Sequence, residues 1–226
     1  MKKTFWAAAA TILLIGTSAF AADVVAPAPA AFDWSGAYIG LNGGIAPGIG
    51  GNNWGLTSAP GITSVESFTG GLGGITVGDN WQKNKFVFGI EGDADIAGLS
   101  AVHTATAGFA CGGTNCSTFV DSLGTLRARA GYALGSSGLL YVTGGLAGGY
   151  VLGHAGGGAL PDNGQATQIG WTAGAGIEAA LSSHLTAKVE GLYVDLGRLS
   201  LPTGCGGGCF TDVHFAVARV GLNYKF

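Results

Sequence analysis

The chain is 226 residues long, with a formal net charge of −3 and only 10% Asp, Glu, Lys and Arg. Typical soluble domains carry about 25% charged residues, so this charge content, beside 44 glycines and 10% aromatics, argues against an ordinary soluble domain. The slight acidic excess leaves no basic patch to neutralise phosphates, which excludes a nucleic-acid binder.

Met1-Lys2-Lys3 gives a short positive start, Phe5 to Gly16 an apolar run, and Ala19-Phe20-Ala21 small residues at −3 and −1 of a cleavage site. This is the layout of a secretory signal peptide, and the run is shorter than the ~20 apolar residues that a membrane-spanning helix needs. Residues 1–21 are therefore expected to be removed, leaving a mature chain from near Ala22 with no cysteine at the cut to carry a lipid. Loss of Lys2 and Lys3 leaves 8 basic against 13 acidic residues. Residues 22–33, containing "VVAPAPAAF", show no alternation and read as a Pro/Ala-rich periplasmic arm.

From Trp34 onward apolar residues recur with period 2, the spacing of strands. The first strand sets Ala37, Ile39, Leu41 and Ile45 against Gly36, Tyr38, Gly40 and Asn42, and the second carries Ile75, Val77 and Trp81 on one face. The third sets Phe86, Phe88 and Ile90 against Glu91, Asp93 and Asp95. In the fourth, Val120, Leu126, Ala128, Ala130 and Tyr132 oppose Asp121, Arg127 and Arg129. The fifth alternates Leu140, Val142, Leu146, Tyr150 and Leu152 with Tyr141, Thr143 and small residues. The sixth sets Ile169, Trp171, Ala173, Ala175, Ile177 and Leu181 against Thr172 and Glu178. The seventh sets Leu185, Ala187, Val189 and Tyr193 against Thr186, Lys188 and Glu190. In the eighth, Val220, Leu222, Tyr224 and Phe226 oppose Arg219, Asn223 and Lys225. The best helical alternative, Leu139–Leu160, holds eight glycines, each costing about 1 kcal/mol relative to Ala in a helix.

The links between strands, near 46–68, 82–85, 99–117, 133–138, 153–167, 182–184 and 199–210, alternate long and short. Eight antiparallel strands with short turns at one end and long loops at the other define an up-and-down transmembrane β-barrel of the bacterial outer membrane, here spanning 34–226. A soluble barrel or sandwich would turn its apolar face inward. In this chain the apolar face is rimmed by Trp34, Trp81, Trp171, Tyr132 and Tyr224, an arrangement suited to two lipid interfaces.

With the apolar faces on lipid, Glu91, Asp93, Asp95, Arg127, Arg129, Glu178, Lys188, Glu190 and Arg219 converge in the lumen. An eight-stranded barrel is just wide enough for side chains to fill. These charges are expected to pair as an ionic plug, since unpaired buried charge is very unfavourable. The competing readings are a narrow pore and acid–base catalysis, the second opposed by arginines interleaved among the acids.

The four cysteines form two local pairs, Cys111/Cys116 and Cys205/Cys209, in two of the long loops. In an exported chain they are disulfide candidates, and pairing within each loop is expected; zinc is disfavoured because no further ligand lies in pattern. The glycine clusters "GGLGG", "GGLAGG" and "GAG" precede no helix, so they are not phosphate loops. His103, His154, His184 and His214 are scattered; His214 with Asp212 lies near the outer rim but has no serine nucleophile beside it, which speaks against an enzyme acting on lipids. No metal or cofactor is expected.

Seven blocks in order, "WSGAYIGLNGG", "FVFGIEGDAD", "LGTLRARAGYA", "LLYVTGGLA", "GWTAGAGIEAAL", "LTAKVEGLYVDLG" and "ARVGLNYKF", resemble the small porin-like outer-membrane proteins of alphaproteobacteria. That family includes major surface antigens of brucellae and rhizobia and is similar in architecture to the transmembrane domain of outer membrane protein A. The resemblance implies an eight-stranded barrel without catalytic activity, with roles in envelope integrity and contact with host surfaces. Some members are porins or bind haemin, which gives the alternative function of a small porin or ligand-binding surface protein. The expected partners are outer-membrane lipids, lipopolysaccharide and host or environmental surface ligands. The resemblance also makes Val220, Leu222, Tyr224 and Phe226 the signal read by the barrel-insertion machinery. Asp79 in "GDNWQ", Ser122 and Gly191 depart from the family's aromatic positions and thin the girdle.

Overall fold

The computed structural model describes residues 31–56, 62–103, 116–155, 162–202 and 208–226. The expected signal peptide, most of the arm, and Cys111 and Cys205 lie outside the described residues. Ten strands are present among them: β1 Gly36–Pro47, β2 Asn52–Leu56, β3 Ile62–Glu66, β4 Thr69–Lys83, β5 Phe86–His103, β6 Cys116–Leu134, β7 Gly138–Ala155, β8 Asp162–Ala180, β9 Leu185–Leu201 and β10 Cys209–Lys225.

Eight of these, β1 and β4 to β10, form an antiparallel ring of sequential neighbours, and β10 returns to β1 with Tyr224 opposite Ile39. Closure matters because lipid offers no hydrogen bonds to an open sheet edge. The alternation then decides what faces outward. Leu41 is 67% exposed and Ile96 82% exposed, in company with Ile75, Phe88, Val142, Ile177, Val189 and Leu222. Trp81, Trp171, Tyr132 and Tyr224 are also exposed at the two ends of this band. The β4–β5 turn is tight because Asn84 takes the left-handed conformation (φ 58), which Asn tolerates better than most residues.

The structure corrects four expectations. The 46–68 link is not a plain loop. β1 pairs with β10 only as far as Ile45 opposite Ala218, while β10 continues outward to Cys209. The hairpin β2–β3 takes over that bare edge, with β2 pairing from Cys209 to Val213. Second, Val120 points inward and Asp121 is exposed, the reverse of simple alternation. Asp121 is the extra residue of a bulge, because Val120 and Ser122 oppose the consecutive residues Val151 and Tyr150; a bulge of one residue flips every later side chain to the other face. Third, Trp34 is buried rather than part of the lipid rim. Fourth, the outer half of the barrel is apolar inside as well as outside. Leu99, Leu123, Val151, Val194, Leu196 and Phe215 fill it.

A second bulge brings β9 into this outer core. Asp195 accepts the Gly197 N–H at 2.8 Å, and Gly197 has φ +75, a conformation open to glycine. Beyond it Leu199 and Leu201 pack over Gly153 and Gly164, within 3.2 and 3.0 Å of where a Cβ would stand, so a side chain at either glycine would crowd the leucines.

Candidate functional site

The lumen is filled in layers, beginning at the mouth that carries the short turns. There the arm turns under the barrel: Phe32 N–H donates to Ser136 O at 2.8 Å, and Trp34 N–H donates to Gln82 Oε1 at 2.8 Å. Trp34 packs with Val87, Leu139 and Tyr141 as an apolar floor, flanked by Phe32, Ala133 and Ala180. Lys225 Nζ donates to Asp33 O and sits over the Phe32 ring. The Ser35 N–H, 2.9 Å from Asp33 Oδ1, holds that carboxyl below its ordinary pKa.

Above the floor stand all nine charges expected in the lumen, every one buried; Glu91 is 2% and Arg127 1% exposed. They stand on two groups of neighbouring strands, β5–β6 and β8–β10, whose alternate positions meet across the lumen as one cluster. Arg127 is its centre. Its Nη2 donates to Glu91 Oε1 (2.5 Å) and Asp93 Oδ2 (2.8 Å), and its Nη1 to Glu190 Oε2 (3.0 Å). Arg219 donates through Nε to Glu190 Oε1 (2.7 Å) and through Nη2 to Asp93 Oδ2 (2.9 Å). Lys188 Nζ reaches Glu91 Oε2 at 2.6 Å. Arg129 donates to Glu178 Oε2 at 2.7 Å and lies over the Tyr141 ring, 4.1 Å from its centroid. Such charge-assisted bonds are the strong ones, and they are what offsets the desolvation of ions buried in a low dielectric.

Several members of this network escape a reading based on charge alone. The Tyr38 hydroxyl donates to Glu91 Oε2 (2.8 Å) and the Tyr141 hydroxyl to Glu190 Oε2 (3.1 Å). Thr125 bridges Arg127 and Asp93, while Thr186 and Asn223 donate to Glu178 Oε1. Alternation does place Tyr38, Tyr141, Thr186 and Asn223 on the polar faces. The usable signal was that a buried tyrosine hydroxyl needs a partner.

Outward of the charges lies the apolar core, and over it the β2–β3 hairpin inserts Trp54, which is fully buried. Asn52 sits beneath it. With the Asn52 amide oxygen turned to the Trp54 indole N–H (2.9 Å) and the Thr118 hydroxyl (2.7 Å), its nitrogen donates to Asp212 O (3.3 Å) and to Thr211. Phe68 closes the mouth against Phe215, ring centroids 5.2 Å apart. Cys116 and Cys209 are buried in this core and disulfide-bonded; the pairing expected within each loop falls on Cys111 and Cys205, outside the described residues.

The remaining candidates are dispersed. Asp212 is engaged by Arg198 at 2.7 and 2.9 Å rather than by His214, whose ring lies by Tyr193. His154 packs edge-on against Phe119, and Asp79 stays half-buried on the lipid-facing side. Val220, Leu222, Tyr224 and Phe226 face lipid. Tyr224 stacks on His184, and Phe226 N–H donates to Ala37 O at 3.1 Å. Among the described residues no group of His, Cys, Asp and Glu is arranged to hold a metal ion.

A closed antiparallel ring, apolar outside and filled inside, defines the class of small transmembrane β-barrels. Residues 8–226 match the family described as "Outer membrane protein beta-barrel domain". The chain is 38% identical to the 31 kDa outer-membrane immunogenic protein of Brucella melitensis, over 94% of this chain and 95% of that one. It is 31% identical to the 25 kDa outer-membrane immunogenic protein of Brucella abortus, over 96% and 95%. The outer membrane protein OprG from Pseudomonas aeruginosa superposes with a TM-score of 0.55, covering 86% of this chain and 98% of that one at 15% identity, a likeness of fold alone. The protein thus belongs to the outer-membrane β-barrel family, and its place is the outer membrane.

Proposed function

We propose that this protein is a sealed, non-catalytic barrel that strengthens the outer envelope and presents its outer strands and loops at the cell surface. The observation that carries the reading is the continuity of the filling: an apolar floor, an ionic layer and an apolar core succeed one another along the axis. Among the described residues, nothing in that sequence of layers offers the polar, water-sized path that ion conduction requires. The outer face holds the lipids and lipopolysaccharide, and the loops meet host or environmental surfaces, as the names of the immunogenic relatives encourage. A leader at residues 1–21 delivers the chain to the periplasm, and the end of β10 directs its insertion.

Planar-bilayer recording of the purified protein tests the seal. The expected result is a quiet membrane. Large, stable openings would instead support the small-porin reading.

A further inference from the structure

The charges outside the lumen are unevenly placed. Toward the long loops stand Asp121, Asp195 and Asp212, with Arg198 tied to Asp212. At the short-turn end two cations gather on the β4–β5 turn. Lys83 and Lys85 are exposed, and among the described residues neither ammonium meets a carboxylate. The other two short turns, 135–137 and 181–184, hold no Lys or Arg. The β4–β5 turn is also fixed in place: Gln82 Nε2 donates to Asn84 O and Ala133 N–H to Lys85 O, both at 2.7 Å. Lys85 Nζ hangs over the lipid-facing ring of Tyr132, 5.9 Å from its centroid, and Lys83 shares the outer face of β4 with Trp81.

Beside these lysines the lipid-facing wall is hollow. Two rows of side chains cross β5, β6 and β7 there, Phe86–Tyr132–Leu140 and Phe88–Ala130–Val142, and the middle residue of the second row is small. The result is an apolar groove of about 410 Å³ over Ala130, with Phe86 and Tyr132, ring centroids 5.4 Å apart, at its lysine end. Two further grooves of similar size, beside Leu41 and Leu222 and beside Ile177 and Val189, are lined by no exposed cation. Asp79 is on the same face but on β4, beyond Trp81 from Lys83, and does not line the groove.

We propose that this turn and groove bind one anionic phospholipid, its phosphate held by Lys83 and Lys85 and one acyl chain laid over Ala130. Short turns of such barrels face the periplasm, so the lipid belongs to the inner leaflet. A headgroup of net negative charge gains from both ammoniums, whereas the amine of a zwitterionic headgroup offsets its own phosphate. The inference rests on lipids as partners of the outer face and is independent of the seal: a conducting barrel would leave it intact, and its failure would leave the seal intact.

The test is native mass spectrometry of the full protein refolded in neutral detergent, titrated with dioleoylphosphatidylglycerol, dioleoylphosphatidylethanolamine or lipid A. One phosphatidylglycerol adduct is expected, half-occupied at a concentration about fivefold below that for phosphatidylethanolamine. Lys83→Gln combined with Lys85→Gln should erase that preference and leave phosphatidylethanolamine binding unchanged. Ala130→Phe, which fills the groove and keeps the lysines, should weaken both phospholipids several-fold. Equal wild-type occupancy by the two phospholipids overturns the proposal, as does a preference that survives loss of both lysines. Ala130→Phe binding like the wild type would reduce the lysines to a general surface attraction and overturn the site. Tighter binding of lipid A than of phosphatidylglycerol would assign the groove to the other leaflet and overturn it as well.

Discussion

Along β10 the inward face reads Val213, Phe215 and Val217 in the outer half, then Arg219, Gly221 and Asn223 in the inner half. β9 runs the opposite way and mirrors it, with Thr186, Lys188 and Glu190 giving way to Leu192, Val194 and Leu196. One set of strands therefore encloses two fillings of opposite chemistry. The apolar filling resembles the core of a soluble protein, where volume is what counts and conservative swaps are tolerated. The ionic filling depends on reciprocity. Arg127 answers three carboxylates and Arg219 two, so removing one partner strands the others where water cannot reach them. The inner half should accordingly be the brittle one.

The largest effect expected is from Arg127→Met, which keeps volume while leaving Glu91, Asp93 and Glu190 short of a donor. Urea unfolding of the refolded protein should show a loss of about 3–5 kcal/mol. A loss under about 1 kcal/mol would mean that the carboxylates find other partners, and the contrast between the halves would collapse. In the outer half, Phe215→Ala should lose about 3 kcal/mol, measured in the same way. Phe215→Leu should lose only about 1 kcal/mol, a tolerance that no replacement of Arg127 ought to match. The combination of Arg127→Met with Phe215→Ala sharpens the point further. If the fillings are separate, the two losses add to within about 0.5 kcal/mol; strong coupling would make them one plug.

The inner half was the legible one. Charge is rare in this chain, so nine charged residues at alternate strand positions mark an enclosed face, and the structure has all nine inside. The apolar filling was hidden because outer-half residues look alike on both faces, as in β9 from Leu192 to Leu199. Periodicity also has no means of registering an inserted residue. Asp121 and the Gly197 bulge each reverse the faces beyond them, which is why Val120 reads as lipid-facing in the pattern and is buried in the barrel. Trp54 lay in a Gly/Asn-rich stretch with no alternation, and only the bare outer edge of β10 explains why a hairpin settles there. Trp34 follows a Pro/Ala arm, and nothing local says that the arm turns under the barrel to lie on Val87 and Leu139.

Phe226 should have the smallest effect on either filling, because its ring is 73% exposed on the lipid side and touches neither core. Its described contacts are the Tyr224 ring, 5.5 Å away, and the backbone bond to Ala37. Deleting it should leave the unfolding midpoint of refolded protein nearly unchanged, since Ile39 to Ile45 still pair with Tyr224 to Ala218 and keep the ring closed. Assembly in the cell poses a different demand on the proposed reading, in which β10, bare before the ring exists, is an address recognised through Tyr224 and Phe226. The yield of heat-modifiable protein in the outer membrane should therefore fall several-fold while refolding in detergent does not. If yield and refolded stability drop together, Phe226 is an interfacial anchor and the reading of β10 as an address is wrong.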